Sequence, residues 1–401
     1  MFSYYENVHF LSIMTMFMLR EGEFHMKDKI GVRSGKDRRY RNTDAGVCPD
    51  RSSVSEYCEI EADNSEVTGH HGRRPGRRTF SNTGRWTALL LAVVMAFAMT
   101  GCTSQQRMMF GTGGTAGTYY AYGGVLAQAM RNYAGIRVTA VSTGGSKANI
   151  QTIQDGDFQL GFTQSDVLTY AWNGSRSFEQ DGPTHDFRVL GSLYDETVQL
   201  FTMDPDIKSV YDLQGKSVSI GAAGSGVYFN ALDVLDAAGL SISDINPQYQ
   251  SFEDSKESMK DGKIDAAFVV AGAPTTAITE LATTNGVNLI NIDGELRDKI
   301  LEDCPYYKAK TIPAGTYKGQ DQDVETITVE ATVIVDKDES EDTVYKLTAA
   351  IFDHADEIAK ENAKGEELSI DKASDIQGVP YHAGAAKYYA EHGVTVNTDE
   401  S

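Results

Sequence analysis

An α/β fold is predicted by three junctions of one kind: a short apolar strand, a turn built from Gly, Ser and Thr, then a helix. They are Gly111–Tyr120 after Met108–Phe110, Ser142–Ser146 after the alternating Arg137–Val141, and Gly221–Gly226 after Ser217–Ile220. In open α/β sheets such turns lie at the carboxyl ends of parallel strands, where ligands bind.

The first junction carries the clearest chemistry. Glycine leaves no Cβ between the backbone and a guest. The helix that follows, spaced by Tyr122, Val125/Leu126, Ala129/Met130 and Tyr133, begins with unpaired N–H groups and the positive end of its dipole, which together favour an anion. Thr115 and Thr118 add hydroxyls at cap positions. A plain strand-to-helix turn with a Thr cap has the same residues; it is the recurrence of the device that points to a site. The third junction leads into a helix with Phe229, Leu232 and Leu235 on one face.

Ahead of this region the chain has another character. Residues 1–84 are polar, rich in Arg and Gly and without a sustained period, as expected of a disordered stretch or an extension upstream of the true start. Arg73–Arg78 is a basic block, Trp86–Met99 an apolar run, and Thr100, Gly101 and Cys102 follow. That order describes a secretory signal over 85–102. A Cys straight after Gly resembles a lipobox, with Met99 where Leu is usual, so Cys102 is the expected lipidation site and new N-terminus. An uncleaved membrane anchor is the alternative, but the run is short for a full span.

Charge narrows the partners. The whole chain carries 36 Lys and Arg against 57 Asp and Glu, a formal net charge of −21, which disfavours nucleic acid. After Cys102 only Cys304 remains, so neither a disulfide nor a zinc motif is expected. His185, His354, His382 and His392 are scattered. No cofactor and no metal is expected.

Further along, Gln159–Asp166 reads as a strand ending in polar side chains, with Gln164 and Ser165 facing the glycine turns and Asp166 as a helix cap. Arg188–Met203 holds two apolar stretches around Asp195 and Glu196. Lys208–Lys216 leads into a second domain, where Asp265–Pro274 is a buried strand running into a tight loop that carries Ala271 and Pro274, the latter at a helix start. The alternation Ile327, Val329, Ala331, Val333, Val335 predicts a long strand returning to the first domain. Val344, Leu347, Ile351, Ala355 and Ile358 predict one core-facing helix.

Several motifs point elsewhere and fail on detail. Gly111, Gly113 and Ala116 nearly fit a dinucleotide fingerprint, but the strand at Val138–Val141 lacks the terminal acid. Gly215–Ser217 lacks the upstream Gly of a phosphate loop. Gly144, Ser146 and Ala148 resemble a nucleophile elbow with no His placed to serve it. Asp336, Asp338, Ser340 and Asp342 have early calcium-loop spacing, with Glu341 where Gly is needed.

Taken together, Gly111–Tyr120, Ser142–Ser146 with Asn149, Gly161–Asp166, Gly221–Gly226, Asp265–Pro274, Ile312–Tyr317 and Val379–Ala385 resemble the TAXI family of TRAP-transporter solute receptors over roughly residues 107–395. At Val379–Ala385 the chain has Ala383 where the family has Pro. The resemblance implies a type II periplasmic-binding-protein-like α/β fold, two lobes joined by a hinge with the ligand in the cleft. Lobe 1 is expected at 103–203 plus 327–401 and lobe 2 at 207–292, with 293–326 as the return connection. It implies a monomeric, extracytoplasmic receptor, lipid-anchored to the membrane. Such a receptor is not an enzyme; it delivers a small carboxylate such as glutamate or 2-oxoglutarate to a TRAP-type permease. The expected ligand-binding residues are Gly114, Thr115, Thr118 and Tyr119; Thr143, Gly144 and Ser146; Gln164 and Ser165; Gly224, Ser225, Gly226 and Tyr228; and Ala271 and Pro274. Backbone N–H groups and hydroxyls are expected to hold the anion, because Lys147 is the only cation adjoining these turns. A sensor module for a signalling partner, or a hydrolase using Ser146 or Ser225, are the other two readings.

Overall fold

Each glycine turn joins a strand to a helix, and the strands lie side by side in the computed structural model, which describes residues 107–399. The expected disordered stretch, signal and lipidation site at Cys102 lie outside the described residues. The first half runs β1 (Arg107–Gly111), α1 (Thr118–Ala129), β2 (Arg137–Val141), α2 (Ser146–Gln154), β3 (Leu160–Gln164), α3 (Ser165–Asn173) and the long β4 (Phe187–Thr202). Next come β5 (Ser217–Ser219), α4 (Val227–Ala237), β6 (Asn246–Gln248), α5 (Phe252–Lys260), β7 (Ala266–Ala271), α6 (Thr276–Thr284), β8 (Asn288–Ile290), α7 (Gly294–Asp303) and β9 (Lys308–Ile312). The chain returns through β10 (Val324–Asp336) and ends in α8 (Glu341–Phe352), α9 (Ala355–Glu361), α10 (Ile370–Ala373) and α11 (Ala383–Glu391).

The strand order is β2-β1-β3-β10-β4-β7-β5-β6, with β8 on β4 and β9 on β10. Read by lobe, this is one pattern used twice. Lobe 1 is β2-β1-β3-β10-β4 and lobe 2 is β6-β5-β7-β4-β8. In both, a long strand arriving from the other lobe runs antiparallel between the third and fourth strands. This is the two-lobed, type II binding-protein arrangement, and it places the carboxyl ends of β1, β2, β3, β5 and β7 around one cleft.

The cores follow the strand alternation. Lobe 1 buries Phe110, Phe162, Leu190 and Val333 with the inner faces of α1, α8 and α11. In lobe 2, Val198, Leu200, Ala266, Phe268 and Val270 face one cluster, and Phe201, Ala267, Val269 and Ala271 face the other. This period of two marks strands covered on both sides.

Three details differ from the sequence expectation. The crossing between lobes lies inside β4 rather than at 203–207: Phe187–Thr197 pairs with β10, and Thr197–Thr202 pairs with β7 and β8. One continuous hydrogen-bonded strand carries the chain across, so no linker composition marks the boundary. Residues 293–326 are not a bare connection, since Leu296 and Ile300 of α7 fill the second-lobe core and β9 pairs with β10. Val344–Ile358 forms two helices broken at Asp353 and His354. Near the N-terminal end, a wider turn at Met130–Ala134 rotates Tyr133 outward, where it is 44% exposed and stacks on His354.

Candidate functional site

The first turns of four helices meet at the cleft: α1 at Thr118 and Tyr119, α2 at Ser146, α4 at Val227 and α5 at Phe252. They surround a cavity of about 70 Å³, several times the ~10–15 Å³ that admits a single water. Helix starts leave N–H groups without intrahelical partners, so this cavity is walled by donors and positive dipole ends.

The first glycine turn supplies Gly114, Thr118 and Tyr119 to the lining, with Gly113 and Gly117. Thr118 Oγ1 donates to Gly272 O of the other lobe at 3.0 Å. Tyr119 stacks on Phe162 with centroids 4.5 Å apart. Its hydroxyl is buried facing Glu196 and Ser146, and burial holds its pKa well above the ordinary value. Thr115 is exposed and caps nothing; Gly117 is the N-cap of α1, in extended geometry.

In the second turn Thr143, Gly144 and Ser146 line the cavity. Thr143 Oγ1 lies 2.7 Å from Asn149 Oδ1 and 3.0 Å from Thr112 O, while Asn149 Nδ2 donates to Thr112 O and Phe162 O. Asn149, fully buried, therefore ties the turn to β1 and β3. Ser146 Oγ accepts from Gln164 N at 3.1 Å, which leaves its own proton to donate.

The third turn closes from lobe 2. Gly224 O accepts from Ala148 N across the cleft at 3.2 Å, and Ser225 Oγ donates to Ala222 O at 2.7 Å. Ser225 and Gly226 line the cavity; Gly224 stands behind it, holding the lobes together. A Cβ on Gly226 would lie 1.5 Å from Gln164 Oε1, so only glycine lets the lobes approach this far.

Gln164 and Ala271 also line the cavity. Five expected residues do not: the exposed Thr115 and Gly224 behind the cavity, and three more, each for a local reason. Ser165 Oγ is used by Glu330 N at 3.1 Å. Tyr228 packs its ring on Phe229 and Tyr249. Pro274 follows a cis peptide bond two residues before α6, whose N-cap is Thr275, and it lines a separate cavity with Asp195 and Lys310. Pro274 is thus not at the helix start.

Sequence reasoning missed Glu196, Ser251 and Phe252, all in the lining. Glu196 is 2% exposed. Burial pushes its carboxyl up to about 8 against the pull of Tyr119 and Tyr194, and Tyr194 Oη donates to it at 3.3 Å. The signal was present, because an acid inside an otherwise apolar strand has to be accounted for. No Lys or Arg is among the described lining residues. Lys147 turns away to Ser177 O at 2.5 Å and Asp181 at 2.6 Å.

Behind the cavity a polar clasp spans the lobes. Gln164 Nε2 donates to Asn230 Oδ1, and Asn230 Nδ2 lies 2.9 Å from Asp166 Oδ2 and 2.7 Å from Tyr307 Oη. Burial raises the Asp166 carboxyl to about 7. Arg176 pairs with Asp233 at 2.5 Å at the rim.

A model of the NMT1-like family matches residues 110–393. Among solved structures, the chain is similar to the periplasmic aliphatic sulphonate binding protein from Escherichia coli, with 17% identity over 72% of this chain and 91% of that one and a TM-score of 0.39. A putative L-cystine ABC transporter from Listeria monocytogenes gives 14% identity, 67% and 98% coverage and 0.41. The GluR0 ligand-binding core from Nostoc punctiforme in complex with L-glutamate gives 15%, 66% and 98%, and 0.39. These values are too low to transfer a ligand.

Proposed function

The chain belongs to the NMT1-like family, and from that premise we propose that it is an extracytoplasmic solute receptor that closes two lobes around a small carboxylate. One observation carries the reading: four helix starts and three glycine turns converge on one cavity between the lobes. In so acidic a protein the long-range field repels an anion. Short-range contacts must therefore hold it, and the Ser146 proton and the first-turn N–H groups supply them.

The resemblance of the glycine turns to TAXI receptors supports delivery to a TRAP-type permease, with the chain tethered through lipid on Cys102. Ser225 as a hydrolytic nucleophile is disfavoured by its bond to Ala222 O, which directs the hydroxyl proton into its own loop. Mass spectrometry of the small molecule released from purified protein, then calorimetry with it, tests the reading. A carboxylate that binds and lowers the radius of gyration in solution scattering is the expected result. A bound molecule that carries no carboxylate refutes it.

A further inference from the structure

Strand β4 carries two adjacent acids with opposite surroundings. Asp195 is held by Lys310 at 2.7 Å and by Lys372. Glu196, one residue on and on the other face, lines the cavity and is in no ion pair among the described residues. It accepts a hydrogen bond from Tyr194, and the Tyr119 hydroxyl also faces it. The charged and titratable groups around it are Tyr119, Tyr194, Asp166 and the more distant Lys364, whose ammonium pairs with Glu367 at 2.6 Å. A buried carboxylate without a cation is costly, and the fold spends two lysines on its neighbour and none here. The cavity therefore has two unlike walls: helix starts, whose N–H groups suit an anion, and Glu196, which suits a cation.

We infer that Glu196 is the specificity-determining residue of this cavity, selecting among small carboxylates those that also carry an ammonium group, so that an amino acid is held in preference to the matching 2-oxo acid. The inference rests on the carboxylate reading above. The helix starts take the carboxylate and Glu196 takes the ammonium. In the ligand-free protein near neutral pH the Glu196 carboxyl, pushed to about 8 by burial, is largely protonated. Pairing with an ammonium requires its anion, so an amino acid expels that proton to solvent on binding. An oxo acid held by a protonated Glu196 expels none.

The test is calorimetry on the full-length protein with two matched pairs, L-glutamate with 2-oxoglutarate and L-alanine with pyruvate, at pH 7 in buffers of different ionisation enthalpy. The expected result has the amino acid of a pair binding at least tenfold tighter, with release of close to one proton. In Glu196→Gln that preference, read as the ratio of the two affinities, disappears. The wild-type proton count stands even if the variant folds poorly. Equal or tighter binding of the oxo acid, binding of the amino acid without proton release, or a preference that survives in Glu196→Gln overturns the inference and leaves the carboxylate reading intact. Failure of all four acids to bind, beside a non-carboxylate that does, removes both.

Discussion

Gln164 of lobe 1 donates through Nε2 to Asn230 Oδ1 of lobe 2 at 3.1 Å, and both side chains are buried. The contact exists only when the lobes meet, so it reports closure directly. Asn230 also faces Asp166 and Tyr307. Its replacement strands partners that have no water to turn to.

Asn230→Leu is expected to weaken the closed form. Each buried polar group left unsatisfied costs about 1–3 kcal/mol, so ligand affinity falls by roughly 5- to 150-fold. Calorimetry with the co-purifying solute measures this. An unchanged affinity would mean that the clasp adds nothing to closure.

Glycine at the interface predicts a steric effect. A Cβ at Gly144 would lie 2.8 Å from Ala223 O, and one at Gly226 1.5 Å from Gln164 Oε1. Gly226→Ala should hold the lobes apart, with a larger radius of gyration at saturating solute and at least tenfold weaker binding, while circular dichroism stays native. A variant that still closes fully would show that Gln164 can move aside at little cost.

The two serines should differ. Ser225 has committed its proton to Ala222 O, whereas Ser146 receives a bond from Gln164 N and keeps its proton for the cavity. Ser146→Ala should lose a charge-assisted bond of about 1.5–3 kcal/mol, and Ser225→Ala no more than about 1 kcal/mol. A larger loss in Ser225→Ala, read by titration of each variant, contradicts this assignment.

Acidity should stabilise the ligand-free protein through Asp166 and Glu196. Burial raises the two carboxyls from 3.8 to about 7 and from 4.5 to about 8. Below about pH 3 both are protonated in the folded and unfolded chains, and the contribution is fully present. As pH rises, the unfolded chain ionises first, so stability drains away until the folded groups titrate near pH 7–8. Melting temperatures should therefore show a decline between pH 5 and 8 that flattens in Asp166→Asn and in Glu196→Gln. An identical slope in wild type and both variants would show that neither group is protonated in the fold.

Much of the fold was legible because its signals are local. The alternation from Ile327 to Val335 marks β10 whatever surrounds it, and glycine between a strand and a helix marks a turn. Ser146, Thr118 and Gly226 reach the cavity as members of such turns. Ser165 and Tyr228 were misread because a hydroxyl in the right loop says nothing about its direction. Glu330 N and a stack of aromatic rings claim them instead.

By itself, then, the sequence determined the α/β class, the three glycine turns and the long returning strand, since propensity and periodicity act within a few residues. Only the tertiary structure decided that β4 crosses between lobes without a break and turns Asp195 and Glu196 to opposite faces, one toward lysines and one toward the cavity. Burial and pairing depend on groups more than a hundred residues away, such as Lys310 for Asp195, and no local pattern encodes which side chain will be left in a cavity without a partner.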